Sequence, residues 1–415
     1  MPTRAHPAEP GARGRRILLA AFGDPGHAFP AIALGRELAA RGHDVTLESW
    51  SKWRDHAERE GMRFAPAPEY QVFPTEGRAL KPYVAAVRAS AETRELIRSV
   101  DPEVVVADIL TVAATLAAEL EERPWATLVP HVMPMGEPGF PVYAVGAVYP
   151  RTALGQRLWR TSRPLLMRGE QQGRDELNET RARVGLGPLP HVHGGISRRL
   201  ALVATLPQLE YPRAAREPWL RVTGPLLWEQ PFGEVELPPG KEPLVLVAPS
   251  TSQDPEHRLL RATLEGLSGE PVRVLATTNR RSPTRPIEVP ANARLADWLS
   301  YARTMPRCAA VVCHAGHGTV ARALASGTPV VACPHAGDMA ENAARLRWAG
   351  LGVSLPRRFH TPRGVRLAVR RLLADPGYAE RAAQVRVWCE AHDGAATAAD
   401  ELEAFAASGA PVSAT

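Results

Sequence analysis

Residues 314–331, HAGHGTVARALASGTPVV, have the pattern of a strand end, a glycine loop and the start of a helix. Gly316 and Gly318 would let the backbone approach a ligand closely, and the N–H groups of residues 318–320 would be unpaired donors in the first helical turn. Those donors and the positive end of the helix dipole favour a bound anion, in particular a phosphate. His314, at the end of the strand, could add a hydrogen bond or a positive charge to a diphosphate. The alternative is a tight strand-to-helix turn of the kind found in many α/β proteins.

Two further features could contribute to the same site. The run PSTS at 249–252, which contains Thr251, follows a predicted strand and could bring hydroxyl groups to the anion. It could equally cap a helix that begins at Pro255. Trp298 lies in a polar loop and could stack on a nucleotide base, a contact worth about 1–3 kcal/mol per base. A lone tryptophan also occurs as a core residue, so each of these features has a structural alternative.

A second candidate centre lies in the first half of the chain. His27 falls in a Gly-rich loop predicted directly after the strand at 15–22, and its imidazole titrates near neutral pH, as a general base requires. Asp108 closes an apolar strand predicted at 102–109, and such a carboxylate can orient an imidazole and stabilise its cation. The alternatives are a loop histidine packed near a helix start and an N-cap for the helix that follows Asp108.

Both centres need elements that hold them at the edge of a sheet. Short apolar runs alternate with helical patterns, which predicts βαβ units, parallel sheets and an α/β fold. The elements form two doubly wound, Rossmann-like domains that face each other across a cleft, and ligands of such sheets bind beyond the carboxyl ends of the strands. The predicted strands are 15–22, 43–49, 102–109, 125–130, 244–250, 272–278, 309–315 and 329–334, and the predicted helices are 29–42, 111–122, 255–267 and 319–327.

Domain boundaries follow from changes in composition. A Pro/Gly-rich stretch without periodicity predicts a linker between the two domains, and an Ala-rich segment predicts a C-terminal helix over 388–408 that could pack back on the first domain. The predicted boundaries are a disordered tail at 1–14, a first domain at 15–224, the linker at 225–242, a second domain at 243–385 and the C-terminal segment at 386–415.

Composition argues against several other functions. The chain has 415 residues, 45% hydrophobic and 23% charged, and no apolar run approaches the roughly 20 residues that span a bilayer. Its net charge of +6 comes from arginines spread along the chain, which argues against nucleic-acid binding. The four cysteines lack metal-site spacing and indicate buried free thiols. No signal-peptide core follows the N-terminal arginines, so we expect a cytoplasmic protein.

The segment from DWL at 297–299 to AENAARL at 340–346 resembles the donor-binding segment of the UDP-glycosyltransferase superfamily, in particular bacterial enzymes that glycosylate macrolides, enediynes and other natural products. The resemblance implies a GT-B fold and inverting transfer from a nucleotide-diphosphate sugar, with no cofactor and no metal. The chain contains no DxD motif, which agrees with that expectation. The implied donor contacts are Trp298 and the backbone of Leu299 with the base, His314, Gly316, Gly318 and Thr319 with the diphosphate, and Asp338, Met339 and Asn342 with the sugar region.

The first half resembles the same superfamily at the reacting end. GHAFP at 26–30 is similar to the GHxxP element whose histidine is the catalytic base, which implies this role for His27. Asp108 stands at a position similar to that of the family's partner aspartate.

Two departures from the family pattern bear on the donor. The family usually has Gln after the sugar-binding Asp, and this chain has Met339, which cannot donate amide hydrogen bonds to hydroxyls. Ser300 and Tyr301 stand where Pro and Gln often follow the aromatic residue. A deoxygenated or differently oriented sugar therefore becomes more plausible, with UDP-glucose and a TDP-sugar as the candidate donors.

The acceptor is predicted to be an apolar small molecule. Residues 128–159 are rich in Met, Pro, Tyr and Gly, which suits an adaptable lining for an aglycone. His131 and Met133 could contact it, although structural packing is the alternative for both. Two other functions compete with transfer: a GT-B-fold nucleotide-sugar epimerase, which should have more carboxylates at the sugar, and an accessory protein that binds nucleotide sugars without catalysis, which would need neither His27 nor Asp108.

Overall fold

The chain is described by a computed structural model over residues 14–67, 82–214, 217–233, 235–250, 254–335 and 337–408. The predicted tail at 1–14, apart from its last residue, and the predicted donor contact Thr251 lie outside these ranges. Of the helices within them, none combines the length and the apolar character needed to cross a membrane.

The first half of the chain forms a seven-stranded parallel sheet in the order β3-β2-β1-β4-β5-β6-β7. Its central strands are short apolar runs because helices cover both faces of the sheet. The strands are β1 (Arg16–Ala20), β2 (Asp44–Ser49), β3 (Arg63–Pro66), β4 (Val104–Asp108), β5 (Trp125–Val129), β6 (Ala201–Val203) and β7 (Leu220–Val222). The helices are α1 (Pro25–Ala40), α2 (Arg54–Arg59), α3 (Pro82–Val100), α4 (Val112–Leu120), α5 (Ala153–Leu166) and α6 (Arg168–Arg183).

The second half forms a six-stranded parallel sheet in the order β10-β9-β8-β11-β12-β13. The α/β prediction with two parallel sheets is thus confirmed. The strands are β8 (Leu244–Ala248), β9 (Arg273–Thr277), β10 (Ala293–Ala296), β11 (Ala310–Cys313), β12 (Val330–Ala332) and β13 (Gly352–Ser354). The helices are α7 (Arg258–Leu267), α8 (Tyr301–Thr304), α9 (His317–Ala325), α10 (Asp338–Ala349), α11 (Pro362–Ala374), α12 (Pro376–Ala391) and α13 (Gly394–Ala407).

Two element boundaries differ from the prediction in ways that affect the site. Helix α1 begins at Pro25, four residues before the predicted start, because proline suits the first turn, where its missing N–H leaves no helical bond unmade. His27 therefore lies in the first turn of α1 and not in a loop. The predicted C-terminal helix is divided between α12 and α13, and the carboxylate of Asp393 starts α13 by accepting from the N–H groups of Ala395 and Ala396.

Helix α13 lies on the first sheet's side of the molecule. Its residues Ala398, Ala399 and Leu402 are buried in the same core as α1, β1 and β2. At the rim of that contact, Arg41 forms ion pairs with Asp400 and Glu403. The chain's C-terminal segment thus links the two halves and limits how they can move apart.

Candidate active site

The structure brings together the two predicted catalytic residues, His27 and Asp108. Asp108 is the last residue of β4, which pairs in parallel with β1, the strand that leads into the His27 helix. The His27 Nδ1 atom lies 2.8 Å from Asp108 Oδ2 and 3.0 Å from Asp108 Oδ1. The Leu110 N–H donates to Oδ1, and Thr111, not Asp108, occupies the N-cap position of α4. The Asp108 side chain therefore holds His27 and the Leu110 N–H and does not occupy the cap of α4.

This carboxylate determines how His27 can act. Because Asp108 accepts from Nδ1, the neutral imidazole carries its proton there and leaves the Nε2 lone pair free to take another. Burial lowers the pKa of His27, and the charge and hydrogen bond of Asp108 are the main effects that oppose it. Asp24 and Asp338 add to this effect, so the pKa of His27 lies above 6.5. The arrangement suits a general base that is held in one tautomer.

Asp338 approaches the same point from the second sheet. It is the first residue of α10 and follows Gly337, whose φ of 61° favours glycine. Its exposed carboxylate makes no hydrogen bond within the described residues. Its charge contributes to the raised pKa of His27 and opposes the lowering of the His131 pKa that burial causes. A carboxylate predicted to hold sugar hydroxyls thus faces the predicted base, with the partly exposed Met339 next to it.

The predicted phosphate loop has the expected open space. A methyl group added at Gly316 or Gly318 would meet no atom within 4 Å. The N–H groups of Gly318 and Thr319 have no backbone acceptor in the described structure, whereas the Val320 N–H donates to the Gly316 carbonyl and is not free as predicted. The residue of this turn with a positive φ, 62°, is Ala315 and not a glycine. Gly316 and Gly318 therefore leave space for a ligand and are not required by the backbone conformation.

His314 is uncharged in this structure, so of its two predicted contributions to a diphosphate site only the hydrogen bond is left. Its Nδ1 atom accepts from the Ser250 N–H at 2.9 Å, and its Nε2 atom lies 3.5 Å from Asp254 Oδ2. Burial lowers the pKa of His314 to about 4 despite the nearby carboxylate. The side chain can therefore offer a hydrogen bond to a diphosphate but no positive charge at neutral pH. Asp254 accepts from the N–H groups of Arg258 and Leu259 at the start of α7.

Asn342 is placed differently from its predicted sugar contact. Its side chain is fully buried and donates to the Ala315 carbonyl at 3.0 Å. Its oxygen lies 3.4 Å from Nδ1 of His317, whose Nε2 lies 3.3 Å from the Ala204 carbonyl of the first half. Asn342 therefore supports the glycine loop from behind, because its position on α10 faces the loop and not the open cleft.

Trp298 keeps a position that suits base stacking. Its side chain is half-buried, and its indole Nε1 has no hydrogen-bond partner within the described residues. The Arg280 guanidinium lies 4.7 Å from the ring centre. Leu299 is buried in the core, which leaves only its backbone for a base edge. The two departures from the family pattern have structural roles: Ser300 caps α8, and the Tyr301 hydroxyl donates to a buried asparagine.

Of the two predicted acceptor contacts, His131 lies near His27 and Met133 is buried in the core. The His131 ring lies 6.4 Å from the His27 ring and donates through Nδ1 to the Val132 carbonyl. Met133 is only 1% exposed and packs in the core with Val129. Its side chain is therefore a packing residue and not an acceptor contact, because the chain after β5 turns it away from the cleft.

A buried ionic cluster that sequence reasoning missed ties the acceptor segment to α10. Arg345 contacts Glu341 at 2.8 Å and Glu210 at 3.2 Å. Glu210 accepts from the Met133 N–H, and Glu341 from the Ala144 N–H. No local signal reveals this cluster, since charged residues on a helix usually face solvent.

Two parallel sheets, a histidine–carboxylate pair at one and an open helix N-terminus at the other define a GT-B-type, two-domain enzyme. Residues 17–125 match the glycosyltransferase family 28 N-terminal domain, and residues 262–405 match the C-terminal domain of the erythromycin biosynthesis protein CIII-like family. The chain is a glycosyltransferase that combines these two domains and is similar to natural-product enzymes that transfer a sugar to an aglycone.

Similarity extends over the whole chain. It is 28% identical to 4'-demethylrebeccamycin synthase from Lentzea aerocolonigenes, over 94% of this chain and 99% of that protein. The calicheamicin glycosyltransferase CalG4 has the same fold, with 24% identity, a TM-score of 0.72 and coverage of 96% and 100%. The spinosyn rhamnosyltransferase SpnG complexed with thymidine diphosphate also has this fold, with 20% identity, a TM-score of 0.68 and coverage of 94% of this chain and 100% of that chain. The predicted superfamily and fold are confirmed.

Proposed function

We propose that this enzyme is an inverting, metal-independent glycosyltransferase that moves a sugar from a nucleotide-diphosphate sugar to a hydroxyl group of an apolar small molecule. The observation that carries the proposal is the His27–Asp108 contact, with Nδ1 held by the carboxylate. It supports base catalysis at Nε2, which an accessory protein would not need, whereas an epimerase of this fold should have more carboxylates at the sugar.

In the proposed reaction, His27 Nε2 removes the acceptor hydroxyl proton while the oxygen attacks the anomeric carbon. The bond to the diphosphate breaks, and charge builds toward an oxocarbenium-like carbon. Asp108 stabilises the imidazolium that forms. A single displacement on the face opposite the leaving group inverts the anomeric configuration.

The leaving diphosphate would bind at the start of α9. The N–H groups of Gly318 and Thr319 and the helix dipole supply a preorganised positive potential there. His314 adds a neutral hydrogen bond, and Trp298 stacks on the base. This potential would stabilise the departing charge without a divalent cation.

UDP-glucose and a TDP-sugar are the candidate donors, and two observations favour a TDP-deoxysugar. Met339 beside Asp338 offers no hydrogen bond to a sugar hydroxyl. The structural relative SpnG binds thymidine diphosphate. Asp338 would hold the hydroxyls that remain.

The test incubates the enzyme with UDP- and TDP-sugars, phenolic and polyketide acceptors, and EDTA, and detects products by mass spectrometry and anomeric NMR. We expect a mass gain of one sugar with EDTA present and an inverted anomeric centre. Transfer that requires an added metal, or a retained configuration, would overturn the mechanism. Binding of the donor without transfer to any acceptor would favour the accessory alternative, and interconversion of the donor sugar would favour the epimerase.

A further inference from the structure

Helix α5 exposes two large apolar side chains on its outer face. Leu154 and Leu158 are 69% and 61% exposed, the highest values among the large apolar residues that the structure describes. They lie four residues apart, so they are neighbours on one side of the helix. Thr161 continues this side and is also exposed. Isolated apolar side chains are common on protein surfaces, whereas adjacent ones indicate a surface that binds something.

The charge around these leucines has one sign. Residues 138–169 contain five arginines and no acidic residue. Arg157 and Arg160 of α5 are exposed, and neither forms an ion pair or a hydrogen bond within the described residues. Arg157 lies three residues from Leu154, which places its side chain beside the leucines. The outer face of α5 is therefore both apolar and positively charged, and it consists of Leu154, Arg157, Leu158, Arg160 and Thr161.

The inner face of α5 fixes this orientation. The Arg163 guanidinium donates to the Gly136 carbonyl at 3.0 Å, and the Gln156 amide donates to the Tyr149 hydroxyl at 3.1 Å. Trp159 is partly buried. Because these contacts hold the inner face against the protein, the two leucines cannot turn into the core without breaking them.

Helix α5 covers part of the segment that was predicted to bind the acceptor. Trp159 of α5 and Tyr143 line the same narrow cleft. The Tyr143 ring lies 6.1 Å from the His131 ring, which lies 6.4 Å from the His27 ring. A surface that binds the outer face of α5 would therefore lie on the acceptor side of the proposed active site.

Three kinds of partner can be compared for this face. In a symmetric dimer of this chain, two copies of the same acid-free face would bring arginines against arginines. Nucleic acids bind to basic grooves with aromatic stacking residues, and exposed leucines do not serve that purpose. A membrane with anionic lipids suits both features, because leucines enter the boundary between headgroups and acyl chains while arginines contact the phosphates.

We propose that the outer face of α5 binds the surface of a membrane that contains anionic lipids. The binding is peripheral and reversible, with Leu154 and Leu158 in the headgroup boundary and Arg157 and Arg160 on lipid phosphates. This inference goes beyond the proposed function and does not depend on it. If the transfer function is correct, an apolar acceptor dissolved in the same membrane would be concentrated beside the acceptor segment.

The test sediments the full chain with vesicles of phosphatidylcholine alone and of phosphatidylcholine mixed equally with phosphatidylglycerol. Each arginine near an anionic surface contributes about fivefold to binding, so the partition coefficient should be about 25-fold higher on the mixed vesicles at low salt. High salt should reduce this preference, since it screens the charges. Arg157→Gln combined with Arg160→Gln should lose about 25-fold on the mixed vesicles.

Two further double variants make the test specific to α5. Leu154→Ser with Leu158→Ser should weaken binding to the mixed vesicles at least about tenfold, because the apolar contribution is lost. Arg363→Gln with Arg371→Gln is the matched control on α11. It removes two exposed arginines near the 52% exposed Leu367 and changes the net charge equally, and it should lose less than about threefold. All three variants should keep the wild-type melting temperature, because the replaced side chains are exposed.

The outcomes separate this inference from its alternatives. Equal binding to both kinds of vesicle would overturn it, as would an equal loss in the α11 control, since net charge alone would then explain binding. A loss in the arginine variant without one in the leucine variant would overturn it in favour of an acidic protein partner. A dimer in analytical ultracentrifugation that the leucine variant dissociates would place a second copy on this face and overturn it as well. Vesicle binding that depends on α5, by a protein that transfers no sugar, would contradict the proposed reaction and support the membrane surface.

Discussion

Replacement of Asp108 by asparagine tests the proposed base through its partner. The side chain keeps its shape and loses its charge. The Leu110 N–H donates to Oδ1, so an asparagine oxygen should occupy that position and the amide nitrogen should replace Oδ2, the atom 2.8 Å from His27 Nδ1. The amide donor at the nearer position would then compete with the asparagine oxygen, 3.0 Å from Nδ1, and would favour the tautomer that carries its proton on Nε2, where the base must be free.

The expected fall in kcat follows from the lost charge of Asp108 and from the changed tautomer of His27. The substitution removes the charge that stabilises the imidazolium and favours the wrong tautomer, effects that together lower kcat by about 10³- to 10⁴-fold in comparable dyads, or about 4–5 kcal/mol of barrier. The fold should survive, because asparagine can still accept from the Leu110 N–H.

The pH profile gives a second readout. Activity requires neutral His27, so kcat/KM for the acceptor at saturating donor should rise with pH through the raised pKa of His27, above 6.5. In Asp108→Asn the burial that lowers this pKa remains and the main opposing charge is gone, so the acidic limb should move to lower pH while the plateau falls.

The assay measures initial rates from pH 5 to 9, with the donor dissociation constant as an internal control. That constant should change less than about twofold, since Asp108 lies on the first sheet. Thr115→Val, in the helix that follows, is a control for general disruption of α4. A variant rate within tenfold of the wild type, or an acidic limb at the same pH, would refute the assignment of His27 as the base.

Three further substitutions test other parts of the structure. Burial raises the pKa of Glu48 from 4.5 to about 7, so ionisation of Glu48 destabilises the folded wild type as pH rises through that range. The stability of Glu48→Met relative to the wild type should therefore increase between pH 5 and pH 8, by up to about 3 kcal/mol. An equal difference in melting temperature at both pH values would contradict this. Gly318→Ala fits the fold but fills space beside the free N–H groups, so the dissociation constants of UDP and TDP should rise about tenfold at unchanged Tm, and unchanged constants would place the diphosphate elsewhere. Arg345→Met leaves the buried Glu341 without its ion-pair partner and Glu210 with the more distant Arg213, 4.0 Å away, and should lose about 3–5 kcal/mol in urea unfolding, partly recovered by Glu341→Gln.

The sequence predicted those parts of the fold whose signals are local. The apolar run at 15–22 could only be a buried strand, and β1 lies within it. The strands β3, β6, β7, β10 and β13, of three or four residues each, were missed, because so short a strand is defined by its neighbours and not by its own pattern. The start of α1 was missed because Pro25 and Gly26 are typical of loops as well as of first helical turns.

The same difference between local and long-range signals decides which site residues could be predicted. His27 and Asp108 could be paired because each ends or follows an apolar run of its own strand, and neighbouring parallel strands bring their carboxyl ends together. Asn342 and Met133 could not be assigned correctly, since their burial depends on contacts with distant segments. The protonation of His314 likewise depends on Ser250, 64 residues earlier in the chain.

The pKa values of the histidines of the two sheets shift in opposite directions because their surroundings differ. His314 is buried with its nearest carboxylate 3.5 Å away, and its pKa falls to about 4. His27 is also buried, yet both oxygens of Asp108 lie within 3.0 Å of its Nδ1, and its pKa rises. In the proposed reaction, attraction for the diphosphate at neutral pH would therefore come from the helix N–H groups, which do not titrate, and not from His314, whereas proton removal would depend on a group that titrates. Donor binding should accordingly be insensitive to pH across the range in which His27 sets the rate, so that acidity slows the chemical step without releasing the nucleotide sugar.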